Sequence, residues 1–378
     1  MSYLIAMFLR VLLKVFYIAP IDNNKIIYMA YGGNKYTCNP KYIYKYITEQ
    51  QEDYKHIWVL NSKHNKELEK NPNTIIVKKN SFNYFYHFLT SKIVISNASI
   101  PTYIPLRKKQ KYIETWHGGG AYKRTGIAFD QSKLKIKQLK LLAKEITLFI
   151  SSSSIFTETK SKNHLVEQSK FYEVGMPRND ILFTESKEIS NKVKDYYGIN
   201  RATKIVLYAP TYRNKDDDST TYEFLDIANL VKALKEKFGG DFVVFTRMHY
   251  YLSEQLQYKD AINVSSYDDM QELMLTADVL ITDYSSVMWD FSFTKKPAFV
   301  FAPDLAEYEK NRSFFTPPEK WPYPVVQTNQ ILTEEILNFD QRRHETAILK
   351  HHEQQGNFED GHATEKIYKK ILLFREDK

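Results

Sequence analysis

The chain has 378 residues, 43% hydrophobic and 15% aromatic, which excludes a disordered polymer and exceeds the size at which one hydrophobic core keeps growing. Its single cysteine, Cys38, excludes an internal disulfide, and no Cys/His cluster has zinc spacing, so neither a structural metal nor a cofactor is expected. The formal charge of +8 is concentrated: residues 106–144 hold eleven Lys or Arg against two acids, Glu114 and Asp130, a patch that seeks the phosphates of nucleic acid, anionic lipid or a polyphosphate substrate.

Residues 1–20 are almost wholly apolar apart from Arg10 and Lys14, which fall four apart on one helical face. Two charges in mid-segment make a spanning helix costly, so an amphipathic helix lying in a membrane interface is expected. A helix packed on the core and a cleaved signal peptide are the competing readings, the latter disfavoured by charges inside the apolar stretch. Residues 25–29, 56–60, 74–77, 93–96, 112–115 and 148–151 then read as short buried strands separated by helical or irregular segments. Within 131–149, Lys133, Lys137, Lys140 and Lys144 form a basic helical stripe beside an apolar one of Leu139, Leu142, Ile146 and Phe149. Such a helix either covers a core or meets an anionic membrane surface.

A polar, charged stretch at 185–200 marks a domain boundary, after which 204–209, 242–247, 262–264, 279–282, 298–301 and Val325 read as a second set of strands. The fold class expected is α/β, with two Rossmann-like domains facing across a cleft: 1–20 the amphipathic helix, 21–187 the first domain, 188–358 the second, and 359–378 a helix returning to the first.

The motifs fall where such sheets bind ligands, at the carboxyl ends of strands. Trp116-His117-Gly118 follows one strand, Pro210-Thr211-Tyr212-Arg213 another, Met248-His249 a third and Asp283-Tyr284-Ser285-Ser286 a fourth. Small hydroxyl residues between a strand and a helix build an anion site from helix-start N–H groups, although Ser and Asp there serve equally as plain caps. Asp216-Asp217-Asp218 reads as a solvated loop tip.

Seven segments in order resemble the CDP-glycerol glycerophosphotransferase family, bacterial enzymes that prime and polymerise teichoic acids and some phosphate-containing capsules. They are Asn39-Pro40-Lys41-Tyr42-Ile43-Tyr44, Thr115-Trp116-His117-Gly118, Gly175-Met176-Pro177-Arg178-Asn179-Asp180, Tyr208-Ala209-Pro210-Thr211-Tyr212-Arg213, Arg247-Met248-His249, the Asp283 block and Phe358-Glu359-Asp360-Gly361. The resemblance implies a GT-B fold and transfer of glycerol phosphate from CDP-glycerol, or ribitol phosphate from CDP-ribitol, to a polyprenyl-diphosphate-linked acceptor at the cytoplasmic membrane face, with no nucleic acid partner. It implies His117 as general base. It also implies His249, Arg178 and Arg213 on the donor phosphates or leaving group, and the acceptor approached from the first domain. Ser285 and Ser286 are expected to hold the diphosphate, Asp283 to orient Ser285 or the helix end, Gly118 to let the backbone approach a ligand, and Glu307 to meet ribose hydroxyls. A GT-B glycosyltransferase using a sugar nucleotide is the alternative. The chain departs from the family pattern in having Gly119-Gly120-Ala121 after Gly118 and Tyr250 after His249. The lack of a long additional N-terminal region is expected of a transferase adding one or a few units.

Overall fold

The computed structural model describes residues 2–62, 64–211, 224–248 and 260–377. They form two compact units, one of residues 1–117, 125–180 and 358–378, the other of 118–124 and 181–357.

The first unit is built on a seven-stranded, wholly parallel sheet of order β3-β2-β1-β4-β5-β6-β7. Its strands are β1 (Asp22–Met29), β2 (Lys55–Val59), β3 (Thr74–Val77), β4 (Ser91–Ser96), β5 (Lys111–Glu114), β6 (Leu148–Ser151) and β7 (Phe171–Glu173). Six coincide with the expected strands to within a few residues. The seventh, at the sheet edge, is three residues long and nowhere fully buried, so it carries no apolar run to read. Helices cover both faces, which is why residues 26–29 of β1 and 93–95 of β4 are continuous apolar runs rather than alternating with polar residues. The helix Ala363–Glu376 belongs to this unit, and its Ile367 and Ile371 are fully buried in the core with Ile26, Trp58 and Ile93. Its first turn is capped from elsewhere in the chain: Asp180 accepts from the N–H groups of Ala363 at 3.0 Å and Thr364 at 2.8 Å.

The helix Tyr3–Leu12 turns Ala6 inward, and Leu13, just beyond it, is buried in the core, while Leu4, Phe8, Val11 and Val15 stand 61–80% exposed along one line. Arg10 donates to the carbonyls of Thr102 and Ile104 and pairs with Glu145, whereas Lys14 is exposed. Among the described residues no helix is long and apolar enough to cross a membrane. The helix Lys133–Glu145 buries Leu139 and Ala143 and leaves Lys133, Lys137, Lys140 and Lys144 exposed. The expected apolar stripe is shorter than its sequence suggests, because the helix ends before Ile146 and Phe149 lies on β6.

The second unit carries a six-stranded parallel sheet of order β10-β9-β8-β11-β12-β13. Its strands are β8 (Lys204–Ala209), β9 (Phe242–Thr246), β10 (Ala261–Asn263), β11 (Val279–Thr282), β12 (Ala298–Phe301) and β13 (Val325–Val326), each close to its expected place. In order of appearance this is the 3-2-1-4-5-6 arrangement of a doubly wound fold.

Candidate active site

In the first sheet the strand order reverses between β1 and β4, the kind of point at which open parallel sheets bind ligands. Three loops meet there. Tyr31, after β1, donates its backbone N–H to Asn97 Oδ1 at 2.8 Å; the Asn97 carbonyl, after β4, lies 2.7 Å from Nδ1 of His117, after β5. A carbonyl oxygen can only accept, so Nδ1 carries the imidazole proton and Nε2 presents a lone pair. Burial, helped by the positive charges of Lys160 and Arg178 and opposed by the Asn97 carbonyl, lowers the His117 pKa to about 4. At neutral pH the ring is therefore a proton acceptor.

His117 is held from both directions along the chain. Its neighbour Trp116 adopts φ +54°, a left-handed conformation that a bulky residue takes only when its surroundings enforce it. The Trp116 N–H donates to Glu114 Oε1 at 3.0 Å, its carbonyl accepts from Asn39 Nδ2 at 2.9 Å, and its indole stacks on the His117 ring with centroids 4.7 Å apart. Glu114 is fully buried; desolvation pushes its pKa up to about 7 against the hydrogen bonds it accepts from Tyr112, Trp116 and Ser99. Asn39, also fully buried, donates as well to the Thr115 carbonyl and accepts from the Arg178 N–H at 3.0 Å. Arg178, expected on the donor phosphates, is 6% exposed and donates from Nη1 to the His117 carbonyl at 2.8 Å. Glu359 accepts from Met176 N–H and Asn179 Nδ2, and Gly175 is required because a Cβ there would come within 2.8 Å of the Glu359 carboxylate at φ +89°. Four of the seven motifs thus form one hydrogen-bonded brace around His117.

In the second sheet the order reverses between β8 and β11, and the loops leaving these strands are joined by Asp283. Its carboxylate, 1% exposed, accepts the Thr211 N–H at 2.8 Å and the Thr211 hydroxyl at 2.6 Å. Ser285 Oγ accepts from Val287 N–H at 3.3 Å, whereas the Ser286 hydroxyl makes no capping bond to the helix Val287–Ser292 that it precedes; both serines are half-buried. Gly118 and Gly119 also have a packing reason: a Cβ on Gly118 would lie 2.7 Å from Ser286 Oγ, and one on Gly119 2.1 Å from the indole of Trp289. Glu307 is half-buried on the helix Leu305–Asn311. Arg213, His249 and the acidic run 216–218 lie outside the described residues.

Sequence reasoning did not single out Lys160, Glu114, Thr125 or His164 in the first unit, nor Lys123 in the second, whose ammonium lies 3.2 Å from Thr211 Oγ1. The only available signal for Lys160 was its spacing of four from the apolar Phe156 on one helix face.

The sequence profile of CDP-glycerol:poly(glycerophosphate) glycerophosphotransferases matches residues 11–373. The chain is 30% identical to the teichoic acid poly(glycerol phosphate) polymerase of Bacillus spizizenii, over 96% of this chain and 95% of that one. It is 28% identical to the teichoic acid glycerol-phosphate transferase of Staphylococcus aureus, over 94% and 95%. A solved structure of the wall teichoic acid polymerase TagF superposes with a TM-score of 0.83 at 27% identity, covering 98% of this chain and 94% of that one.

Proposed function

The chain belongs to the CDP-glycerol:poly(glycerophosphate) glycerophosphotransferase family and is a phosphotransferase of the CDP-polyol type, and from that premise we propose that it transfers glycerol phosphate from CDP-glycerol to a hydroxyl of a polyprenyl-diphosphate-linked acceptor. The acceptor oxygen forms a bond to the β-phosphorus, the bond from that phosphorus to the oxygen of CMP breaks, CMP leaves, and the hydroxyl proton passes to His117 Nε2. The observation that carries this reading is the His117 tautomer, fixed by the Asn97 carbonyl with Nε2 as the acceptor. Arg178, Asn39 and Glu114 keep that ring in place. Ser285 and Ser286 hold the donor diphosphate, with Asp283 positioning the Thr211 loop rather than meeting phosphate itself, since two negative charges repel. Arg213 and His249 serve the donor phosphates and leaving group, and Glu307 the ribose.

The acceptor is a lipid, and the surface suits it. The exposed line of Leu4, Phe8, Val11 and Val15 is of the kind that enters a bilayer interface, and the exposed lysine stripe of the helix Lys133–Glu145 is of the kind that anionic headgroups attract, each lysine by about 1 kcal/mol. We therefore place the enzyme peripherally on the cytoplasmic membrane face.

The test incubates the full chain with CDP-glycerol or CDP-ribitol and a synthetic lipid-linked acceptor, and weighs the products. Glycerol phosphate addition is expected, lost in His117→Ala and in His249→Ala with folding retained. Near-normal turnover by either variant refutes that residue's role; use of CDP-ribitol alone transfers the donor assignment to ribitol.

A further inference from the structure

Lys160 is a buried lysine whose charged form is supported electrostatically by Glu114. It lies on the helix Ser154–His164 with 6% exposure, and among the described residues it forms no salt bridge. Buried lysines are ordinarily paired, because removing an ammonium from water is costly. Its Nζ instead donates to Thr125 Oγ1 at 2.9 Å and sits 3.7 Å from the centroid of the Trp116 ring. That same indole stacks on His117 and receives His164 at its edge, centroids 4.9 Å apart.

We infer that Lys160 is a positioning residue for the transfer reaction: its ammonium grips the Trp116 indole, which holds the His117 ring, and keeps a positive charge beside that ring. The inference rests on His117 being the base of the proposed reaction.

Two observations carry it. Trp116 occupies a left-handed backbone conformation that an indole does not choose, so the side chain needs an anchor, and a cation over a desolvated tryptophan face is among the stronger ones available. An apolar residue of the same length would fill the space with no desolvation cost, so the retained charge points to an electrostatic task. The groups that face His117 are Lys160, the Arg178 guanidinium on its carbonyl, His164, the Tyr31 ring at 5.6 Å, and Glu114 through the Trp116 N–H. The cations among them disfavour an imidazolium and so keep Nε2 unprotonated in the resting state at neutral pH. Lys160 itself is brought down to about 7 by burial, with Glu114 pulling the other way, so its own charge responds to pH near neutrality.

The test compares wild type, Lys160→Met and Lys160→Arg as full-length proteins, following histidine side-chain resonances by NMR, with the His117 signal identified by its loss in His117→Ala, and measuring transfer rate against pH. Lys160→Met is expected to raise the His117 titration midpoint by about half a unit or more and to move the acidic limb of the rate profile with it, as loss of a nearby like charge requires. Lys160→Arg, which keeps the charge and can stack on an indole, should hold the midpoint at the wild-type value. A folded Lys160→Met protein with an unmoved His117 midpoint and acidic limb would overturn the inference. Should His117→Ala retain turnover while Lys160→Met still moves the midpoint, the coupling stands and the assignment of the base fails.

Discussion

Asp283 accepts both the N–H and the hydroxyl of Thr211, tying the loop after β11 to the loop after β8 at the point where the second sheet reverses its strand order. The bond spans 72 residues of sequence and is made by a carboxylate that is 1% exposed.

Asp283→Ala leaves the Thr211 N–H without its partner in a site nearly closed to water. A loss of about 2–3 kcal/mol in unfolding free energy is expected, as for charged hydrogen bonds, with a raised KM for the CDP-polyol. Urea denaturation and steady-state kinetics measure the two effects; a variant as stable as wild type would show the clamp to be idle.

Asn39→Asp keeps shape but replaces the amide that donates to the Thr115 and Trp116 carbonyls with an acceptor facing two acceptors. Since Asn39 is fully buried, this should destabilise by about 2–4 kcal/mol and depress kcat more than KM, because the His117 loop loses its brace. Thermal unfolding with parallel kinetics decides; an unchanged Tm contradicts the brace.

Gly119→Ala puts a methyl group against the fully buried Trp289, an indole fixed in the core of the second unit. Overpacking of this kind costs about 1–3 kcal/mol, visible as a lowered Tm. Gly240→Ala serves as a comparison, since its Cβ would meet only the end of Lys204 at 3.8 Å and suffers backbone strain alone, at φ +81°.

His56 and His351, each 2% exposed, have pKa values lowered to about 4 by burial. A histidine depressed in the folded state binds its proton first in the unfolded chain. Their contribution is therefore fully present above about pH 6.5 and is lost as pH falls towards 4, on the order of 1 kcal/mol per residue per pH unit in that window. Glu114 has the opposite sign: its carboxyl is raised to about 7, so its contribution is present below the ordinary carboxylate range and is lost as pH rises through 7. Urea midpoints at pH 7.5, 6 and 5 should fall, and should fall less in His56→Gln.

Leu4→Ser with Phe8→Ser should release the protein from anionic vesicles without lowering its Tm, because both side chains are more than 60% exposed. Retained co-sedimentation counts against an interfacial role for the first helix.

Most of the twelve legible strands are buried on two faces and are written as short runs of Val, Ile and Phe, a pattern that needs no partner to be recognised. The edge strand β7 escaped for the converse reason, and the end of the helix Lys133–Glu145 was misjudged because a helical stripe continued by chance into β6. At the site, His117, Asp283 and the serines announce themselves by standing between a strand and a turn. Lys160 does not: only its spacing of four from Phe156 separates it from the exposed Lys162 two positions on, and its significance exists only once Trp116 is folded against it. The contact of Arg178 with the His117 carbonyl was equally hidden, since an arginine after a Gly-Met-Pro turn reads as a phosphate ligand whether or not it also meets a carbonyl.

The capping of the helix Ala363–Glu376 by Asp180 has a consequence for the order of assembly. Residues 358–377 leave the ribosome only after the whole of the second unit, yet Ile367 and Ile371 complete the core of the first. The half of the protein that is synthesised first must wait, with part of its apolar surface uncovered, until the half synthesised later has emerged and can already fold; a chaperone present during translation would find its client in the amino-terminal half.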